Sequence, residues 1–100
     1  MDRSLNIQQI KEIVSDLGRK YGAERIWLFG SYARGDFNSE SDIDLRIDRG
    51  QIRGLAMGGL LNDLEEAFGR KVDLLSSKCL RKEFLDSIRN EEILLYEQQR

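Results

Sequence analysis

Residues 42 to 48, Asp-Ile-Asp-Leu-Arg-Ile-Asp, alternate charged and aliphatic side chains without a break. A repeat of two is the signature of an extended strand, whose successive side chains point to opposite faces. Such a strand belongs where one face is buried and the other meets water. Ile43, Leu45 and Ile47 are therefore assigned to a core, and Asp42, Asp44, Arg46 and Asp48 to a polar face. The rest of the chain has to supply neighbouring strands and a cover for one side only.

The cover is legible. Ile10, Ile13, Val14, Leu17 and Tyr21 recur at helical spacing within residues 5–21. Asn6 and Gln9 resemble a capping box, and Gly22 is a natural stop. The run RIWLF (25–29) is short, apolar and aromatic, so it predicts a buried strand with Trp27 and Phe29 on one face and Ile26 and Leu28 on the other. GSYARGDFNSES is a polar, glycine-punctuated loop with room for one short helical turn. Residues 54–68 predict a helix with Leu60, Leu61, Leu64 and Phe68 on one stripe and Gly69 past its end. Gly58 and Gly59 each cost such a helix about 1 kcal/mol relative to alanine, so they either permit close packing or lie ahead of its start. KVDLL (71–75) predicts a third strand, Leu80 to Asn90 a helix with Phe84, Leu85 and Ile88 inward, and Glu92 to Tyr96 a last short strand or a helix end. Alternating helices and strands over 100 residues, with no proline and no linker-like stretch, predict one α/β or α+β domain, 1–100, around a small sheet.

Composition narrows the chemistry. There is no histidine, which excludes Ser-His-Asp and Cys-His catalysis within the chain. Cys79 stands alone, so neither an intrachain disulfide nor a four-ligand zinc site can be built, and it reads as a small, semi-buried apolar residue. Sixteen basic against eighteen acidic residues give a formal charge of −2, a poor footprint for generic nucleic-acid binding. No apolar run is long enough to span a membrane and the first residues lack the apolar core of a signal peptide, so a soluble, cytoplasmic protein is expected.

Two features remain that carry chemistry. Gly30-Ser31 follows a strand directly, and a glycine and a hydroxyl at that point offer backbone N–H groups and an O–H to phosphate oxygens. Arg34 can add charge-assisted bonds to the same oxygens. Asp42 and Asp44, two apart on a strand, project from one face about 6 to 7 Å apart, which suits hard cations such as Mg²⁺. Asp73 lies between Val72 and Leu74; if those two face the core, it joins the same patch. Taken singly, each is also an ordinary turn, an ordinary solvated strand face or an ordinary strand-edge acid.

Together they carry a resemblance. The run GSYARGDFNSESDIDL resembles the signature of the polymerase-beta-like nucleotidyltransferases, a Gly-Ser, a spacer, then Ser-Asp-x-Asp-Leu, and is most similar to the minimal, stand-alone members. LLNDLEEAFGRKVDLL is similar to their third-carboxylate segment, and the stretch from Ile88 to Tyr96 to their closing one. The resemblance implies the fold of that family, a small mixed sheet covered by helices. It implies two Mg²⁺ ions on Asp42, Asp44 and Asp73, ATP as substrate along Gly30 and Ser31, and a weaker transfer of role to Arg34. It also implies an acceptor. Small members of this kind are antitoxins paired with helical HEPN-domain toxins, and adenylylate a tyrosine on that partner; a hetero-oligomer is then expected. Three alternatives stay open: a subunit modifying small molecules, as aminoglycoside-modifying enzymes do; an antitoxin that acts by binding alone; and a plain structural module with a solvated acidic face.

Overall fold

The computed structural model describes residues 5–99. The chain runs α1 (Ile7–Tyr21), β1 (Arg25–Phe29), α2 (Ser31–Arg34), β2 (Ile43–Asp48), α3 (Ala56–Phe68), β3 (Val72–Ser76), a 3-10 turn at Ser77–Cys79, α4 (Lys82–Ile88) and β4 (Ile93–Glu97). The four strands form one mixed sheet in the order β3-β2-β1-β4. β1 is antiparallel to both β2 and β4, while β2 and β3 are parallel. A parallel pair needs a crossover, and α3 supplies it.

α1 begins at the expected capping box. Asn6 Oδ1 accepts the Gln9 N–H at 2.8 Å, and Gln9 Oε1 accepts the Asn6 N–H at 3.0 Å. It stops at Gly22, whose φ of 84° is left-handed. Ile10 and Val14 of α1 and Leu60, Leu64 and Phe68 of α3 pack in one core with Ile26, Leu28, Ile43, Leu45, Ile47, Val72 and Leu95 of the sheet. The alternation in β2 is realised fully: its aliphatic residues are buried and its charged ones half-buried.

β4 resolves the last segment as a strand. Its Tyr96 ring rests on Gly18 in the last turn of α1, where an added Cβ would come within 2.8 Å of a ring carbon. α3 contains both of its glycines rather than starting after them. Gly59 lies against the Tyr21 hydroxyl, where a Cβ would stand 3.2 Å away; nothing lies near Gly58, and no contact explains it. One expectation fails: Cys79 is exposed, at the end of a 3-10 turn that buries none of its residues.

The opposite sheet face is covered only at one end. Phe84 of α4 meets Phe29 edge-on at 5.7 Å. The remainder presents Trp27, Arg46 and the exposed Leu94 in cross-strand register. No helix among the described residues is long and apolar enough to cross a membrane.

Candidate active site

Strand register builds the site. Phe29, the last residue of β1, stands opposite Asp44, and Asp44 stands opposite Asp73 across the parallel pair. Neighbouring strands are about 4.8 Å apart, so the two carboxyls are adjacent side chains on one face. Val72 is buried and Leu74 packs on the core, which turns Asp73 to the acidic side. Asp42, half-buried just ahead of β2, adds its charge to the same patch.

Gly30 follows with φ 76°, a conformation that side chains resist. A Cβ there would lie 2.2 Å from Asp44 Oδ2, so only glycine lets the β1–α2 turn close over that carboxylate. The chain then makes the single helical turn α2, and Tyr32 stacks on Phe37 at 4.2 Å, folding the following loop back.

The acids are crowded. Burial, then the charge of Asp73 and a hydrogen bond shared with it, then Asp42, push the Asp44 carboxyl up to about 6. Arg34 opposes this only weakly, as the last contributor. Among the described residues, no three His, Cys, Asp or Glu side chains form a finished metal cage. The three aspartates are neighbours on one face. Their donor set nonetheless fits a hard divalent cation: carboxylate oxygens only, mutually repelling, beside a turn too tight for any side chain.

Two glutamates complete the surroundings, and neither was singled out in the sequence. Glu91 Oε2 accepts the Gly30 N–H at 2.6 Å, and Arg34 Nη1 donates to its two oxygens at 3.4 and 3.2 Å. Arg34 also donates from Nε to Asp36 at 3.1 Å. Glu92 takes Arg46 in a two-pronged pair at 3.0 and 2.8 Å, while the Arg46 guanidinium lies 3.6 Å over the Trp27 ring and donates to Ser77 Oγ at 2.8 Å. The available signal was Arg46 itself, a lone cation on a strand face of acids, which needed a partner from elsewhere in the chain.

Gly30, Asp44 and Asp73 are thus brought together, with Asp42 and Ser31 beside them and Arg34 at the edge, its charge already engaged. A cleft of about 370 Å³ lined by Glu24, Asp48, Arg49, Ile52, Arg53 and Lys78 lies at the far end of β2 and contains none of these residues.

This combination of a mixed sheet, a glycine-serine turn and acids in register on two parallel strands is that of a nucleotidyltransferase. Residues 8–100 match the family described as polymerase beta, nucleotidyltransferase, and the chain belongs to it. Within the family it sits with small protein adenylyltransferases. A Methanocaldococcus jannaschii protein named "putative protein adenylyltransferase" is 34% identical over 90 residues, covering 89% of this chain and 97% of its own. The "protein adenylyltransferase MntA" of Thermococcus cleftensis is 29% identical over 94 residues, covering 89% and 95%. A solved structure described as a "putative minimal nucleotidyltransferase" superposes with a TM-score of 0.77 at 30% identity, covering 89% of this chain and 95% of that one. A chain from a crystallised toxin–antitoxin complex with AMP-PNP gives 0.73 at 26% identity, covering 95% and 76%.

Proposed function

We propose that this protein moves AMP from ATP to a tyrosine hydroxyl of a partner HEPN-domain toxin and so silences it, acting as one catalytic domain in the cytoplasm and in a hetero-oligomer with that partner. The observation that carries this reading is the register of Asp44 with Asp73 beside Gly30, which brings two acids to a turn that only glycine can make. The relatives named as protein adenylyltransferases and the toxin–antitoxin complex with an ATP analogue support protein as the acceptor. The HEPN toxin and its tyrosine come from the family resemblance of the sequence.

In this reading Asp42, Asp44 and Asp73 hold two Mg²⁺ ions. Bound there, the ions lower the proton affinity of the acceptor hydroxyl and neutralise charge on the departing pyrophosphate. The chain's own residues do the positioning. The Gly30–Ser31 turn and Arg34 bind phosphate oxygens and align the α-phosphorus with the acceptor oxygen. That oxygen forms a new bond to phosphorus, the bond to pyrophosphate breaks, and the hydroxyl proton passes to the Asp73 carboxylate. The protein has no histidine, and none of these steps calls for one. Residues of the acceptor share in its recognition.

The test is incubation with α-labelled ATP, Mg²⁺ and the protein encoded by the neighbouring gene. Label is expected on a partner tyrosine, with a loss of about 10²- to 10³-fold in Asp42→Asn, the order expected when a charge-stabilising group is removed. Label that persists in Asp42→Asn, or that never reaches the partner, overturns the reading.

A further inference from the structure

Gly30 and Arg34 already hold an anion, and it is part of the protein. The Glu91 carboxylate sits on the Gly30 N–H at 2.6 Å and within 3.2 Å of Arg34 Nη1. A carboxylate and a phosphate offer such donors the same charge-assisted bonds. The same donors cannot serve both. We infer that Glu91 is an internal competitor for the phosphate cradle, holding it in the free protein and turned out when a polyphosphate binds. This inference rests on the reading that Gly30 and Arg34 grip the triphosphate.

Glu91 is placed to let go. Arg34 is 48% exposed and already shared with Asp36, and the Glu91 side chain is 20% exposed. The turn that bears it does not depend on it. The N–H groups of Glu91 and Glu92 both donate to the Ile88 carbonyl at 3.0 Å, and Glu92 is fastened to Arg46. The Glu91 side chain can therefore swing while its backbone stays. Leaving also relieves charge: a polyphosphate arriving beside Asp42 and Asp44 would otherwise face one more carboxylate at the point of contact. The consequence is selectivity. A weak anion such as inorganic phosphate does not displace Glu91, whereas a metal-bound triphosphate gains enough contacts to do so.

The probes are sodium tripolyphosphate without metal, and Mg-ATP, titrated calorimetrically into the full chain and into Glu91→Gln and Glu91→Asp. Glutamine removes the charge and keeps the shape; aspartate keeps the charge and cannot reach both donors. Glu91→Gln is expected to bind tripolyphosphate about 10-fold tighter than the parent, equivalent to about 1.4 kcal/mol, with a parallel fall in Kd for Mg-ATP. Glu91→Asp is expected to tighten less, and it answers the question if the glutamine variant does not fold. Unchanged or weaker binding in a folded variant makes Glu91 a buttress of the turn and overturns the inference, as does failure of every variant to bind tripolyphosphate. The two readings fail separately. Label transfer with no gain in tripolyphosphate affinity removes the competitor and leaves the enzyme; a gain in affinity with no transfer does the reverse.

Discussion

Two arginine–glutamate pairs leave the same turn and have opposite characters. Arg46 and Glu92 are 12% and 14% exposed, paired through two hydrogen bonds and stacked on Trp27. Arg34 and Glu91 are 48% and 20% exposed, at 3.2 Å, and shared with Asp36. A half-wet pair is worth about 0 to 1 kcal/mol, whereas removing one partner from a dry pair leaves an unpaired charge that costs about 3 kcal/mol or more. Adjacent acids thus divide the work: Glu92 fastens the last strand to the middle of the sheet, and Glu91 rests on the Gly30 turn through a wetter, shared contact.

The contrast can be broken in order of effect. Glu92→Ala should be the most damaging, lowering stability by about 3 kcal/mol, which for a chain of this size is a drop of about 12 °C or more in Tm; a drop under about 4 °C would dissolve the distinction between the pairs. Arg34→Ala should lose no more than about 1 kcal/mol of stability, yet slow transfer about 10- to 100-fold through the phosphate bonds it no longer makes. Melting curves and rates on the same sample separate the two.

The smallest effect concerns pH. The Asp44 carboxyl titrates at about 6 in the folded chain against 3.8 normally, so the native state holds its proton more tightly than the unfolded one. Its stabilising contribution is complete below about pH 4 and is lost as pH rises through about 6. Because Asp44 is only half-buried and solvent screens its charge, metal-free protein should lose only a few degrees of Tm attributable to it across that window, and Mg²⁺ should restore them at pH 7.5 but do nothing at pH 4. Because the charge of Arg34 reaches Asp44 and lowers its pKa, the window should move to higher pH in Arg34→Ala. Arg46, half-buried and held by Glu92, is not among the groups that shift Asp44.

The helices and strands were readable because their signals are local. Alternation in 42–48, the Asn6–Gln9 cap and the apolar stripe of α3 each lie within a few turns of chain, and each element forms where expected. The acids were readable for the same reason: Asp44 lies in β2 with Asp42 just ahead of it, and the flanks of Asp73 tell which way it points. Glu92 heads the apolar segment 92–96 and Glu91 falls between two predicted elements, so nothing local marks either. Their partners lie 57 and 46 residues away, a distance over which pattern carries no information. Cys79 was misjudged because its burial depends on a turn geometry that composition does not encode.

The facing of Asp44 and Asp73 has a built-in safeguard. If β3 slid by one residue against β2, Asp73 would be driven among Ile43, Leu45 and Leu64, and Val72 and Leu74 would be turned out to water. The oily side of the sheet would reject that error at once, since a carboxylate among aliphatic side chains with no counter-charge cannot stay ionised. Grease on one face thereby polices the alignment of acids on the other. Mutations that loosen Val72 or Leu74 are ones through which chemistry could be lost without any acid being altered.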